Sequence, residues 1–202
     1  MTWVKICGLT RKSDVARAVD AGADALGFVL APESPRGIDR RRAADLMDGV
    51  NALRVVVTVD MPAEDLATVV SATGADGVQP HGRHAGDASR WGQAEGLLVL
   101  RPVRVAANGV PELEAVPGQQ IPLLDSASSG AHGGTGQSLD WEHLSVPDRR
   151  FVLAGGLNPS NVAAAIEIVR PWGVDASSGL ESAPGIKDPA RVAAFLQEAK
   201  RR

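Results

Sequence analysis

The sequence predicts a closed (β/α)8 TIM barrel, organised as one α/β domain over residues 1–202. Short apolar runs alternate with helix-like stretches eight times, and regular β–α alternation implies a parallel sheet. A chain of 202 residues lies at the short end of the ~200 to 400 residues of that fold. Near the C-terminus two successive runs finish in Gly155-Gly156 and Ser177-Ser178-Gly179, small residues that leave backbone N–H groups bare for an anion. The loops after strands seven and eight are the usual phosphate site of such a barrel. A doubly wound open sheet would place its phosphate loop after the first strand, where Cys7-Gly8-Leu9-Thr10 is not glycine-rich.

Taken in order, residues 3–7 form a short β-type run closed by Gly8. Thr10 or Ser13 is expected to cap a helix through Ala21, with Val15, Ala18 and Val19 as its apolar stripe. Residues 24–30 are nearly all apolar, as a strand covered on both faces should be. A polar loop over residues 31–37 leads to a basic-headed helix over residues 40–50. The third strand, residues 53–59, is built around Val55, Val56, Val57 and Thr58. Pro62 opens a helix to about Thr73, and Gly74 closes it. The fourth strand, residues 76–79, is very short and ends in Pro80-His81-Gly82.

A weak helix signal around residues 88–94 precedes the fifth strand, residues 97–101. The connection over residues 103–120 contains Pro111 and Pro117 and has room for no more than two helical turns. Helices after strands four and five are therefore expected to be short or irregular. Residues 121–125 form the sixth strand, followed by a glycine-rich loop and a short helix starting at Leu139-Asp140-Trp141. The seventh strand covers residues 151–154, and Asn158 and Pro159 are expected to cap and open a helix to Val169. Residues 173–176 are the eighth strand, and residues 188–200 the closing helix, with Val192, Ala193, Phe195 and Leu196 facing inward.

Composition narrows the function. Hydrophobic residues make up 44%, enough for a sizeable core, but aromatics are only 3%, so Ala, Val, Leu and Ile must fill it. A formal charge of −3 gives no basic excess, which argues against nucleic acid as a partner. No apolar run approaches the ~20 residues of a membrane span, and the N-terminal stretch is no signal peptide, so a cytoplasmic protein with no membrane partner is expected. The single cysteine excludes an internal disulfide. A barrel this small suits either a monomer or a homodimer.

Reactive groups of a barrel sit where strands end at the C-terminal face. Those positions hold Cys7, His81, Asp125 and Asp175, with Arg36 in the second loop. Strand alternation puts Trp3, Lys5 and Cys7 on one face, and Ile121, Leu123 and Asp125 likewise. A thiol and a carboxyl across a small cavity form a base and acid pair. A lone cysteine is as readily a small buried hydrophobe, and works as a base only where its surroundings favour the thiolate. Asp125 either caps its loop or acts as the acid; Arg36 is either a solvated loop charge or a carboxylate clamp. Asp175 either pairs with Lys5 or binds substrate. His81 reads as a hydrogen-bond partner lining the mouth, and the other histidines show no metal-ligand spacing.

Several ordered blocks go further. They are Val4-Lys5-Ile6-Cys7-Gly8, Ser34-Pro35-Arg36, Val78-Gln79-Pro80-His81-Gly82, Leu123-Leu124-Asp125-Ser126 and Gly133-Gly134-Thr135-Gly136. The series continues through Leu153-Ala154-Gly155-Gly156-Leu157-Asn158-Pro159, Asp175-Ala176-Ser177-Ser178-Gly179-Leu180-Glu181 and Pro184-Gly185-Ile186-Lys187-Asp188. Together they resemble phosphoribosylanthranilate isomerase of tryptophan biosynthesis, over the whole chain and in the right order. The resemblance implies an Amadori rearrangement of a small phosphoribosyl substrate, with neither cofactor nor metal. It implies Asp125 as general acid, Cys7 as general base and Arg36 as the holder of the anthranilate carboxylate. It also implies substrate contacts from His81 and Asp175, and a phosphate grip at Gly134, Gly136, Gly155, Gly156, Ser177 and Ser178. Pro80 and Gln137-Ser138 depart from that family's usual pattern.

Overall fold

The computed structural model describes residues 1–106, 108–114, 116–125 and 140–201. Its eight central strands close in sequential order into a parallel barrel. They are β1 (Trp3–Ile6), β2 (Ala25–Leu30), β3 (Leu53–Val59), β4 (Gly77–His81), β5 (Leu98–Arg104), β6 (Ile121–Asp125), β7 (Val152–Leu153) and β8 (Gly173–Ala176). Two further strands, β9 (Glu181–Ala183) and β10 (Ile186–Lys187), pair antiparallel as a hairpin just beyond β8. The helices are α1 (Lys12–Asp20), α2 (Arg40–Met47), α3 (Ala63–Thr73), α4 (Ala85–Ala94), α5 (Val162–Val169) and α6 (Pro189–Ala199). Among the described residues none is long and apolar enough to cross a membrane.

Side-chain alternation sorts the strands into two cores. Outward residues such as Val4, Ile6, Leu26, Phe28, Val56, Leu124 and Val174 pack against the helices. Inward residues are layered along the barrel axis. At the bottom, Ala25, Val55, Leu100, Leu123, Val152 and Ala154 form an apolar plug. Trp3 and Trp172 stack below it with centroids 4.9 Å apart. At the top, Cys7, Val29, Ala31 and Val57 form a small apolar ring. Between plug and ring lies one buried ion pair, Lys5 with Asp175, on residues directly opposite in the β1–β8 ladder.

Several elements differ from the sequence reading. Thr10 and Ser13 do not cap α1; Arg11 is its N-cap, and the Thr10 hydroxyl donates to the Gly185 carbonyl at 2.6 Å instead. β4 runs on through Pro80 to His81. Proline cannot donate to a ladder, and Pro80 lies past Val78, the last β4 residue paired with β5. α4 is a regular helix rather than a short or irregular one, and starts at Ala85, three residues before its signal. Between β5 and β6 no described residue is helical; the Arg149 guanidinium instead donates to the carbonyls of Val116, Pro117, Gly118 and Gln120. No helix starts at Asp140-Trp141 either. The count is thus six α-helices among the described residues, not about eight.

α5 begins at Val162 rather than behind Asn158. The cause is a pair of asparagine side-chain turns. Asn158 Oδ1 accepts from the Ser160 N–H at 2.9 Å, while Asn161 Oδ1 accepts from the Asn158 N–H at 2.8 Å. Such side-chain bonds compete with the first helical turn and postpone it. Two other helices are capped by aspartates: Asp39 accepts from Arg42 N–H, and Asp188 from the N–H groups of Ala190 and Arg191, ahead of Pro189 in the first turn of α6.

Candidate active site

A cavity opens at the C-terminal ends of the strands. Its lining includes Cys7 above β1, Arg36 from the loop after β2, His81 from β4, Asp125 from β6, Gly155-Gly156 after β7, and Asp175, Ser177 and Ser178 around the end of β8. The barrel therefore brings together every site residue expected from sequence that lies among the described ones. Gly134 and Gly136, like Gln137-Ser138, lie outside the described residues.

Cys7 sits at the lip of the apolar ring, 7% exposed. It reaches this depth because Gly27 on β2 leaves it room. A Cβ added at Gly27 would stand 2.7 Å from Cys7 Sγ and 3.1 Å from Lys5 Cε. Gly27→Ala is accordingly expected to cost ~1–3 kcal/mol through overpacking. For a chain of this size that lowers the midpoint of thermal unfolding by roughly 2–12 °C. An unchanged midpoint would mean that the thiol is not held by this close approach.

The electrostatics beneath Cys7 are specific. Lys5 Nζ donates to Asp175 Oδ2 at 2.8 Å, and Lys5 is fully buried. Burial alone would push the ammonium down, but the Asp175 carboxylate and the neighbouring Cys7 sulfur outweigh it and hold Lys5 above its ordinary value. Burial pushes the Cys7 thiol up; the Lys5 ammonium works against this without cancelling it. Left to itself, the site thus keeps Cys7 mostly protonated near neutrality. Of the two roles the sequence left open for Asp175, the structure shows the pairing with Lys5, and the residue also lines the cavity. Its Oδ1 is buried with no hydrogen-bond partner among the described residues. His81 lies with its Nε2 3.1 Å from Gln79 Nε2, and Gln79 lines the same cavity.

On the rim after β7, Gly155 and Gly156 adopt consecutive left-handed conformations, φ 85° and 65°. Side chains resist that backbone, and glycines at both positions leave its N–H groups open to an anion. Ser177 and Ser178 face the same space from β8. The Ser177 hydroxyl donates to the Cys7 carbonyl at 3.1 Å, tying the two loops together.

Sequence reasoning missed three residues here. Arg36 is not a lone loop charge: its Nε and Nη2 donate to both oxygens of Glu181 at 2.7 and 2.8 Å. Lys187 Nζ donates to Glu181 Oε1 at 2.9 Å and to the Ser177 carbonyl at 3.0 Å. Gln79 is the third. Period-two alternation with His81 could have found Gln79. Glu181 and Lys187 carry no such local signal, because a hairpin after the last barrel strand brings them in. Among the described residues no group of three His, Cys, Asp or Glu could hold a metal ion.

Comparison with known proteins agrees with this geometry. A family model described as N-(5'-phosphoribosyl)anthranilate (PRA) isomerase matches residues 4–198. The chain is 42% identical to an N-(5'-phosphoribosyl)anthranilate isomerase of Rubrobacter xylanophilus over 99% of this chain and 100% of that one. It superposes on the phosphoribosyl anthranilate isomerase of Thermotoga maritima with a TM-score of 0.84, at 36% identity and covering 99% of each chain. A structure of a phosphoribosyl anthranilate isomerase in complex with reduced 1-(o-carboxyphenylamino)-1-deoxyribulose 5-phosphate gives a TM-score of 0.80 at 34% identity, again over 99% of each chain. On the matched family model and on full-length identity well above thirty per cent, the chain belongs to the N-(5'-phosphoribosyl)anthranilate isomerase family.

Proposed function

We propose that this chain converts N-(5'-phosphoribosyl)anthranilate into 1-(2-carboxyphenylamino)-1-deoxyribulose 5-phosphate, a step of tryptophan biosynthesis, with Asp125 and Cys7 as its acid and base. The observation that carries the residue assignment is the shared cavity. A thiol just past β1 and a carboxyl from β6 line one space, with the left-handed Gly155-Gly156 pair on its rim.

The proton account is simple. Asp125 gives a proton to the ribose ring oxygen; the C1′–O bond breaks and the anilino nitrogen becomes a Schiff base. Cys7 takes the C2′ proton, and the electron pair moves to make an enolamine. Tautomerisation returns a proton to C1′ and leaves the C2′ ketone. No atom is lost and no external oxidant is consumed, so one acid and one base within reach of their protons suffice. Arg36 holds the anthranilate carboxylate, while Gly155, Gly156, Ser177 and Ser178 take the phosphate, joined in this reading by Gly134 and Gly136. Two anionic ends gripped apart fix the sugar between acid and base. His81 and Asp175 are placed to bind the sugar hydroxyls.

The test is turnover of freshly made substrate, followed by loss of its anthranilate fluorescence across pH 6 to 9. Because burial raises the Cys7 thiol, the thiolate fraction grows with pH, and kcat is expected to rise about tenfold per unit on the alkaline side of neutrality. Binding of the phosphate ester without conversion would reduce the protein to a binding module. A flat profile from pH 7 to 9 would remove Cys7 as the base.

A further inference from the structure

We propose that Lys187 and Glu181 are positioning residues that set the direction and the net charge of the Arg36 clamp. The proposal rests on Arg36 holding the substrate carboxylate. Glu181 takes the Nε–Nη2 edge of the guanidinium with both its oxygens. That two-point contact fixes the guanidinium plane and directs the remaining Nη1 edge away from Glu181, while Arg36 itself lines the cavity. Orientation has an electrostatic consequence. An Arg36–Glu181 pair alone is neutral, and a neutral pair attracts a carboxylate weakly.

Lys187 restores the charge. Its side chain is 1% exposed, and its Nζ lies 2.9 Å from the same Glu181 oxygen that Arg36 Nε contacts. Two cations on one anion leave the cluster net positive by one, and a bound carboxylate completes the balance. Burial pushes the Lys187 ammonium down, with Glu181 opposing. Glu181 resists its own burial and is held below the usual carboxylate range by Arg36 and Lys187. The β9–β10 hairpin exists to deliver this pair: Glu181 opens β9 and Lys187 closes β10, opposite one another in register. The Lys187 N–H is anchored on Asp14 Oδ2 at 3.1 Å, and Arg191 Nη1 on the Glu181 carbonyl at 2.7 Å. Both ends of the hairpin are thereby tied to helices rather than left as a loop.

The readout is a preference ratio. The probes are the reduced product, 1-(2-carboxyphenylamino)-1-deoxyribitol 5-phosphate, and its phenylamino counterpart lacking the carboxylate, each measured as a competitive inhibitor or by calorimetry. Lys187→Met makes the cluster neutral and is expected to cut the preference for the carboxylated probe about tenfold or more, with the uncarboxylated probe within about threefold of wild type. Adding Glu181→Gln to Lys187→Met returns the cluster to net positive and should recover at least about threefold of that loss. A merely structural lysine would show no such recovery. Should Lys187→Met fail to fold, Lys187→Gln keeps a donor toward Glu181 and Ser177 without the charge and carries the same expectation. Wild-type preference retained in the neutral variant overturns the proposal. No preference in the wild type overturns the Arg36 reading, and the proposal with it, even where turnover is intact.

Discussion

Cys7→Ala is expected to lower kcat by ~10²-fold or more while leaving affinity for the reduced product close to wild type. Alanine accepts no proton, yet it fits the ring of Val29, Ala31 and Val57 in which the sulfur sits, so the cavity keeps its shape. Asp125→Asn should lose a comparable factor for a different reason: the amide has nearly the size of the carboxyl but no proton to give. Since the two act on different protons, the variants are distinguishable. Substrate deuterated at C2′ should turn over with a full primary isotope effect in Cys7→Ala, where removal of that proton limits the rate. In Asp125→Asn, ring opening comes first and the effect should shrink toward unity. The double variant should be little worse than the worse single one, because groups that act in one sequence are strongly non-additive. Turnover within about threefold of wild type in either single variant, or isotope effects in the reverse order, would overturn the assignment.

The legible parts of this chain were those written in local chemistry. β3, β6 and β8 end where their apolar runs end, because a strand buried on both faces has no other way to satisfy its neighbours. The strand-end rule then collected Cys7, Asp125 and Asp175 without any knowledge of tertiary contacts. What sequence could not show was decided by partners far along the chain. Arg36 and Glu181 are separated by 145 residues; the Lys5–Asp175 pair, 170 residues apart, was one of two alternatives that the sequence left open and only the fold decided between. The asparagine turn that postpones α5 involves two side chains that each suit a cap; only the backbone N–H that each accepts from, Ser160 for Asn158 and Asn158 for Asn161, chooses between them. Arg149 stands in for helical bonding after β5, a role no periodicity could announce.

Lys5→Met should be the most damaging substitution for stability, at ~3–5 kcal/mol, because it strands the Asp175 carboxylate in the barrel without a partner. In a chain of this length that corresponds to a fall in the unfolding midpoint of roughly 6–20 °C. The paired replacement Lys5→Met with Asp175→Leu should recover most of the loss, since two apolar side chains of similar volume fill the same space without desolvating a charge. Function should not recover with it. Burial and the Asp175 carboxylate push the Cys7 thiol up and the Lys5 ammonium opposes them, more strongly than Asp175 acts, so with both charges removed the alkaline limb of the pH profile should still move up. Lys5 itself cannot be that limb. Its value is raised in the fold, so its contribution to stability is fully present below the ordinary lysine value and is lost only as pH climbs through the folded one. A double variant that is stable, and whose activity still rises with pH over the wild-type range, would show that the ion pair does not tune the base. A stable double variant with the limb displaced upward would show that the same two charges hold the barrel together and tune its base.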